Sequence, residues 1–489
     1  MAAATAAAGG DDGHAVKRQK LASGGPSWPT WGQGRAEAEA STAAGKLRVA
    51  AFLADGAGPT LEVDGLSGIV TGISFLDHMV DQLRAHAQLR VTLRTWLADR
   101  PFVPHANEAY DKGVDAELAG LVGTAIGGAL LKIWAPEQNG CSKPKEALAK
   151  AVAAIKVGGT MPTRFCFSAP LDEALSEVTL DLPGADSQAP EADISLSPYG
   201  IYPAGGRQFI GSFRTSHTEI FFRSLALAFG CKMQLKKVRG DNAHHIVEAT
   251  FKSFSRCLRR ALDEYSGFRV AAEAMTPVRR RTACKERATK ETSISVTLNL
   301  DPVSDSKSAA GISTGIATLD EMLAKFTASG VGIRATCKGD LWIDDHHSSE
   351  DVMITVGKVL AEALGDKGGI NRMGFADAQS GNAKVRCVMD LSNRPSFCTD
   401  LGLEKCSEEM VDDLSVEMIA HCFESFVMNG LMTVHLLRIT EEPLGTKDIS
   451  AADLALAAAG ALAGALRNCA NYDPRLAGAA ASSKGTIST

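Results

Sequence analysis

The sequence predicts an α+β protein built from two tandem copies of one domain, and two observations carry that reading. The first is a long-range repeat. Thr71-Gly72-Ile73-Ser74-Phe75-Leu76-Asp77-His78-Met79 is echoed by Thr314-Gly315-Ile316-Ala317-Thr318-Leu319-Asp320-Glu321-Met322. Phe221-Phe222-Arg223-Ser224-Leu225 is echoed by Cys422-Phe423-Glu424-Ser425-Phe426. The second is mixed periodicity within each half. Ile294–Leu300 and Lys384–Leu391 place apolar residues at alternate positions, as half-buried strands do. Asp351–Leu364 places them at helical spacing and ends at Gly365, a helix-stop residue. Strand and helix patterns that alternate in this way predict mixed sheets with helices on one face.

Read from the start, residues 1–46 are rich in Ala, Gly and Ser and lack apolar periodicity, so they are expected to be a disordered extension. Lys17-Arg18-Gln19-Lys20 within it reads as a solvated charge run, and Asp11-Asp12 argue against a transit peptide. The chain becomes globular near Leu47. A first copy is expected over residues 47–272 and a second over 280–489, with the basic run Arg279-Arg280-Arg281 between them. A chain of 489 residues is long enough for two such cores.

Composition excludes several classes of function. A net charge of -6 and a pI near 6.0 leave no nucleic-acid footprint. The 11 cysteines are odd in number and lack C-x-x-C spacing, which fits reduced thiols better than a disulfide frame or a zinc ribbon. No apolar run of membrane length is apparent; Ala451–Leu466 is too short and too rich in Ala and Gly. No secretory h-region is seen. These features predict a protein of a reducing compartment, the cytoplasm, with a plastid as the alternative.

The chemistry is carried by a cluster that occurs twice, His244-His245-Ile246-Val247-Glu248 and His346-His347-Ser348-Ser349-Glu350. If each stretch opens a helix, the first His and the Glu share a face and reach one ion. The second His points roughly 100° away around the axis and is placed to reach a neighbouring ion. Four imidazoles and two carboxylates in this pattern suggest a paired transition-metal site rather than one structural zinc.

With these residues in view, the chain resembles imidazoleglycerol-phosphate dehydratase, the dehydratase of histidine biosynthesis. The resemblance rests on Phe75-Leu76-Asp77-His78-Met79, Asn242-x-His244-His245-x-x-Glu248, Asp344-Asp345-His346-His347-x-x-Glu350 and the tail Ser482-Ser483-Lys484-Gly485. It extends from about Leu47 to the C-terminus and implies a tandem duplication. Each domain would itself be an internal duplication of a mixed four-stranded sheet with helices on one face, the ribosomal protein S5 domain 2-like fold. The resemblance also implies a large homo-oligomer with two manganese ions per site, sites between subunits, and imidazoleglycerol phosphate as substrate. Neither nucleic acid nor membrane enters as a partner.

Measured against the family pattern, each copy has lost a different part. In the first, Val103-Pro104-His105-Ala106-Asn107-Glu108 stands for the Asp-Asp-His-His-x-x-Glu element, Ile220 for a metal His, and Leu182-Pro183-Gly184-Ala185 for the phosphate-arginine segment. In the second, Glu321 stands for the His of Leu-Asp-His-Met, and Ala452, Asp453 and Leu456 for the last His-His-x-x-Glu. The survivors complement one another. The resemblance implies His78, His244, His245, Glu248, His346, His347, Glu350 and His421 as metal ligands, and Glu291 and His86 as catalytic groups. Gln82, Lys252, Arg372, Arg394, Ser482, Ser483 and Lys484 would hold the substrate and its phosphate. Two divalent ions on the imidazole ring would act as Lewis acids while Glu291 moves the proton. A single composite site from both copies is therefore expected. Two alternatives stay open: a dinuclear metal hydrolase, and a non-catalytic paralogue that only forms the shell. His14, His217 and His435 read as exposed or locally satisfied histidines.

Overall fold

The computed structural model describes residues 36–43, 45–56, 68–109, 114–134, 164–182, 189–266, 281–301, 311–439, 450–476 and 479–482. They form four units of one plan. The first comprises β1 (Ala36–Ser41), β2 (Leu47–Asp55), α1 (Ser74–His86), β3 (Leu89–Leu97), β4 (Arg100–Pro101) and α2 (Asp115–Trp134). The second comprises β5 (Arg164–Leu171), β6 (Ala174–Asp181), β7 (Glu191–Ser195), the small hairpin β8 (Phe209–Ile210) and β9 (Phe213–Arg214), α3 (His217–Phe229), β10 (Lys232–Arg239) and α4 (Ala243–Ser266). The third has β11 (Thr282–Ala288), β12 (Thr292–Asn299), β13 (Ile312–Ser313), α5 (Ala317–Ala328), β14 (Gly332–Gly339) and α6 (His346–Leu364). The fourth has β15 (Met373–Ser380), β16 (Ala383–Asp390), β17 (Ser396–Asp400), the hairpin β18 (Met410–Val411) and β19 (Leu414–Ser415), α7 (Val416–Asn429), β20 (Thr433–Arg438) and α8 (Ala451–Ala470).

Units two, three and four share one sheet order: β5-β6-β10-β7, β11-β12-β14-β13 and β15-β16-β20-β17. In each, the last strand runs parallel to its neighbour, because a helix carries the chain between them. The first sheet, β1-β2-β3-β4, keeps only a trace of that parallel strand, a bridge between Ile69 and Leu93. The α+β class, and the duplication within each copy, follow directly. The strands expected at 294–300 and 384–391 are β12 and β16, and the helix expected to stop at Gly365 is α6.

The repeat extends to single atoms. Thr71 donates from its backbone N and its hydroxyl to Asp77 Oδ1 at 2.6 Å, and Thr314 does the same to Asp320 Oδ1 at 2.9 and 2.6 Å. The Asp of each Leu-Asp-x-Met motif thus pins the turn that starts α1 or α5. Within a copy the helices of its two units meet, with α2 on α3 and α1 on α4, then α6 on α7 and α5 on α8. Glycines permit the closest crossings. A Cβ on Gly127 would lie 2.5 Å from Leu225 O, and one on Gly357 would lie 2.6 Å from Phe426 O. Each copy has its own apolar core, and the copies touch through their sheets, where β5 packs on β15, β16 and β20. Phe167 and Phe375 stack edge to face there, 5.5 Å between centroids, and Arg386 Nη1 meets Glu177 Oε2 at 2.6 Å.

Three expectations change. The extension expected over residues 1–46 ends earlier, since Ala36–Ser41 pairs with β2 as an edge strand. Arg281 is not a linker charge. It is buried, forks onto Asp301, donates to Ala470 O and lies 4.2 Å from the Tyr472 ring centroid, so it belongs to the second copy. Among the described residues one helix, Asp115–Trp134, is long and apolar enough to cross a membrane, which the sequence reading missed; half of its apolar window is buried, and the helix packs against α3, β1 and β2. Its apolar character is that of a core helix.

Candidate metal and phosphate centre

Both His-His-x-x-Glu stretches open helices, α4 and α6, as the motif predicts. A polar side chain two residues upstream receives the backbone N of the first His in each: Asn242 Oδ1 from His244 N at 2.9 Å, Asp344 Oδ1 from His346 N at 3.0 Å. The helical spacing then places first His and Glu together. His244 Nε2 lies 3.1 Å from Glu248 Oε2, and His346 Nε2 lies 3.6 Å from Glu350 Oε2.

A third ligand joins each pair from another helix. His78 on α1 brings Nε2 to 3.5 Å from Glu248 Oε2. His421 on α7 brings Nε2 to 3.1 Å from Glu350 Oε1. The candidate ligand atoms of each trio lie within 4.8 Å of one another, and the described residues hold one trio per copy. Two imidazoles and one carboxylate with open positions form a donor set suited to a divalent transition metal. The His421 Nε2 atom is buried and lies 3.1 Å from Glu350 Oε1 without a hydrogen bond between them, an approach that suits two ligands of one ion.

The second histidines turn aside. His245 Nδ1 lies 2.7 Å from Glu173 Oε2, and His347 Nδ1 lies 3.0 Å from Asp340 Oδ2. These carboxylate contacts raise the pKa of both rings. They also fix which nitrogen is committed, so that Nε2 remains for a second ion. Among the described residues no hydrogen bond, ion pair or ring contact joins the two trios.

Around the first trio the field is cationic. Burial opposes ionisation of Glu248, but Lys252 Nζ at 3.0 Å and the bonds from His244 and His78 hold its carboxyl far below the usual carboxylate range. Burial pushes the Lys252 ammonium down, opposed by Glu248 and reinforced by Arg372 of the other copy. His86 is 1% exposed, with Nδ1 unpartnered; burial, then Lys252, Arg372 and Arg256, push its pKa well below the ordinary value, so the ring is neutral. Gln82 is buried behind His78, donating to its carbonyl at 3.1 Å while its Oε1 has no partner.

Arg372 forks onto Asp390 at 2.7 and 2.9 Å and gives Nη1 to Ala481 O at 2.8 Å, tying the start of the tail beside Lys252. Ser482 is buried next to it; Ser483 and Lys484 lie outside the described residues. Arg394 reaches Asp172 of the first copy, Nε to Oδ1 at 3.2 Å. Glu291 is exposed on the β11–β12 turn, its N bonded to Thr289 Oγ1, and it acts electrostatically on His347.

The degenerate half of the first copy needs re-registering. The residues 103–108 form a loop, in which Glu108 binds Arg100 and the Val103 N. The helix equivalent to α6 is α2. Gly127 stands where Gly357 stands, and seven and eleven positions earlier Gly120 and Ala116 replace Glu350 and His346. A Cβ on Gly120 would lie 3.5 Å from the Ile220 side chain, just as Glu350 meets His421. Pro104 is therefore not the vestige; Ala116, Gly120 and Ile220 are. The segment Pro183–Ala185 falls outside the described residues. In the second copy Glu321 is exposed at the place of His78, and Asp453 accepts from Ser380 Oγ at 3.0 Å.

His217 is buried beside Asp115 at 3.4 Å, and His435 is buried with Nε2 2.8 Å from Asp172 O, so neither is exposed; His14 is outside the described residues. Sequence reasoning missed Glu173 and Asp340, the carboxylates that orient the second histidines, and Asp172 beside them. A hairpin turn and a strand end hold them, with no periodic pattern to mark them.

A family model described as imidazoleglycerol-phosphate dehydratase matches residues 146–258 and 314–462, one stretch in each copy and together more than half of the chain. The imidazoleglycerol-phosphate dehydratase of Neurospora crassa is 38% identical over 230 residues, covering 42% of this chain and 96% of that protein. The chloroplastic imidazoleglycerol-phosphate dehydratase 1 of Triticum aestivum is 36% identical over 238 residues, covering 47% of this chain and 82% of that protein. A crystal structure of the Pyrococcus furiosus enzyme in complex with (S)-C348 aligns at a TM-score of 0.33 with 27% identity, covering 41% of this chain and 99% of that one.

Proposed function

This chain belongs to the imidazoleglycerol-phosphate dehydratase family of hydro-lyases, and from that premise we propose that it dehydrates imidazoleglycerol phosphate to imidazole acetol phosphate at a composite dimanganese site. One observation supports this reading above the others: each copy keeps one complete trio and has lost the other. His78, His244 and Glu248 would hold one ion, and His346, Glu350 and His421 the second. Bound there, two divalent ions supply Lewis acidity to the substrate's imidazole ring.

The chain's own residues do the rest. His245 and His347 each commit Nδ1 to a carboxylate and offer Nε2 to the second ion. Glu291, exposed beside His347, takes the proton from the carbon next to the ring and delivers it to the leaving hydroxyl. Lys252, Arg394 and the Ser482–Lys484 tail hold the phosphate, Arg394 through its guanidinium, while Arg372, its fork taken up by Asp390 and Ala481 O, adds positive charge and ties down the start of the tail. His86, buried and neutral among cations, offers a hydrogen-bonding ring nitrogen near Lys252 rather than a charge.

No contact among the described residues joins the two trios within one chain, which favours a site completed between chains in a homo-oligomer. The family assignment argues against a dinuclear hydrolase. A non-catalytic shell protein would have no reason to retain one complement of ligands. The reading is tested by loading the purified protein with manganese, counting metal and assaying imidazoleglycerol phosphate. About two ions per chain are expected, held more weakly as pH falls, because histidines ligate a metal only when neutral. Either His244→Ala or His346→Ala should remove one ion. A loaded protein without turnover would overturn the proposal.

A further inference from the structure

The β5–β6 hairpin turn projects two carboxylates between the copies, and only Glu173 has an evident task. Asp172 sits with φ at 50°, a left-handed backbone that Asp and Asn adopt more readily than other non-glycine residues. Its carbonyl accepts from His435 of the second copy at 2.8 Å. Its Oδ1 lies 3.2 Å from Arg394 Nε, also of the second copy. Its Oδ2 lies 3.8 Å from His245 Nε2 of the first. One carboxylate therefore stands between a candidate phosphate arginine and a candidate metal histidine that come from different copies.

The geometry points to Asp172 as a positioning residue that aims Arg394 at the substrate phosphate. A guanidinium binds a phosphate best with two parallel N–H groups. Arg394 has a long, half-exposed stem whose rotamers leave that fork unaimed. At 3.2 Å from Nε, the Asp172 carboxylate draws the guanidinium to the junction of the copies by charge, without a hydrogen bond, and leaves its N–H groups for phosphate oxygens. The backbone of Asp172 is itself held by His435, so the anchor is rigid. Ser392 steadies the other end, its hydroxyl receiving Arg394 N at 3.1 Å and donating to Arg394 O at 3.0 Å. The duplication thereby gives the contact between copies a part in substrate recognition.

This inference rests on the reading that Arg394 binds phosphate, and the experiment separates the two. The affinity of the manganese-loaded full chain for inorganic phosphate is measured by calorimetry, beside KM and kcat for imidazoleglycerol phosphate. Asp172→Asn keeps the left-handed backbone and the shape while removing the charge. It should weaken phosphate binding and raise KM roughly 10-fold, the low end for losing a contact that orients a ligand, with kcat little changed. Asp172→Gly, which also tolerates the backbone, should do the same. Placed on Arg394→Ala, Asp172→Asn should add nothing to the loss of phosphate affinity, since both act through one fork. Additive losses, or full phosphate affinity in Asp172→Asn beside a weakened Arg394→Ala, would overturn the positioning role alone. Unchanged affinity in Arg394→Ala would overturn the phosphate reading and the inference with it.

Discussion

At the scale of single residues, the site is a set of charges whose partners decide what each can do. Glu248 is held ionised by Lys252 and two imidazoles, so it is ready as a ligand at any working pH. Glu291 is exposed on the β11–β12 turn, close enough to act electrostatically on His347. We expect Glu291→Gln to leave metal content unchanged and to lower kcat by about 10²-fold or more, the usual scale for a positioned proton-transfer group. Metal analysis beside turnover checks it; an unchanged kcat would reduce Glu291 to a surface carboxylate. Most ligands were legible in the sequence because helical spacing alone pairs His244 with Glu248 and His346 with Glu350. Asp172, Glu173 and Asp340 were not, because what they orient lies far away in the sequence or on another element.

At the scale of elements, the helices were read more safely than the loops between them. The start of α6 and its stop at Gly365 follow from local chemistry. The decayed element of the first copy did not, since a motif match favoured residues 103–108, whereas helix packing selects α2. That correction is testable. Ala116→His, Gly120→Glu and Ile220→His together should create a third trio and raise bound manganese from about two ions per chain to about three, one ion per trio of ligands. The space at Gly120 permits it, since its Cβ would meet only ordinary contacts. Changing Pro104→His with Ala106→His should add none, and elemental analysis distinguishes the outcomes.

The strand that joins the copies carries a pH dependence. His435 on β20 is fully buried, and burial pushes its pKa down to about 4, with the Asp172 carbonyl and Glu173 opposing and Arg239 assisting. The unfolded ring titrates near 6.5, so between about 6.5 and 4 the unfolded chain binds a proton that the folded chain does not. Stability from this group is full above about 6.5 and is lost as pH falls toward 4, on the order of 3 kcal/mol in total. His435→Gln should flatten that part of the stability profile in denaturant titrations at several pH values. An identical pH slope in the variant would assign the dependence elsewhere.

At the scale of the whole molecule, duplication has divided labour. Four units on one plan make two copies, each with a core of its own. Lys252 and His86 of the first copy feel Arg372 of the second, so the cationic cluster beside the first trio draws on both copies. The two metal trios are not shared in that way. The tandem repeat was visible in the sequence; the separation of the trios was not, because it depends on which sheets pack together. Chains that supply the first trio should therefore meet chains that supply the second.

The direct measurement is a mixing experiment with two full-length variants, His244→Ala, which breaks the first trio, and His346→Ala, which breaks the second. Each alone should be inactive and hold about one ion per chain. Co-expressed and co-purified, they should recover about a quarter of wild-type activity, the fraction of sites in which randomly assembled neighbours supply two intact trios. Co-assembled variants that show no activity above either one alone would contradict a site completed between chains.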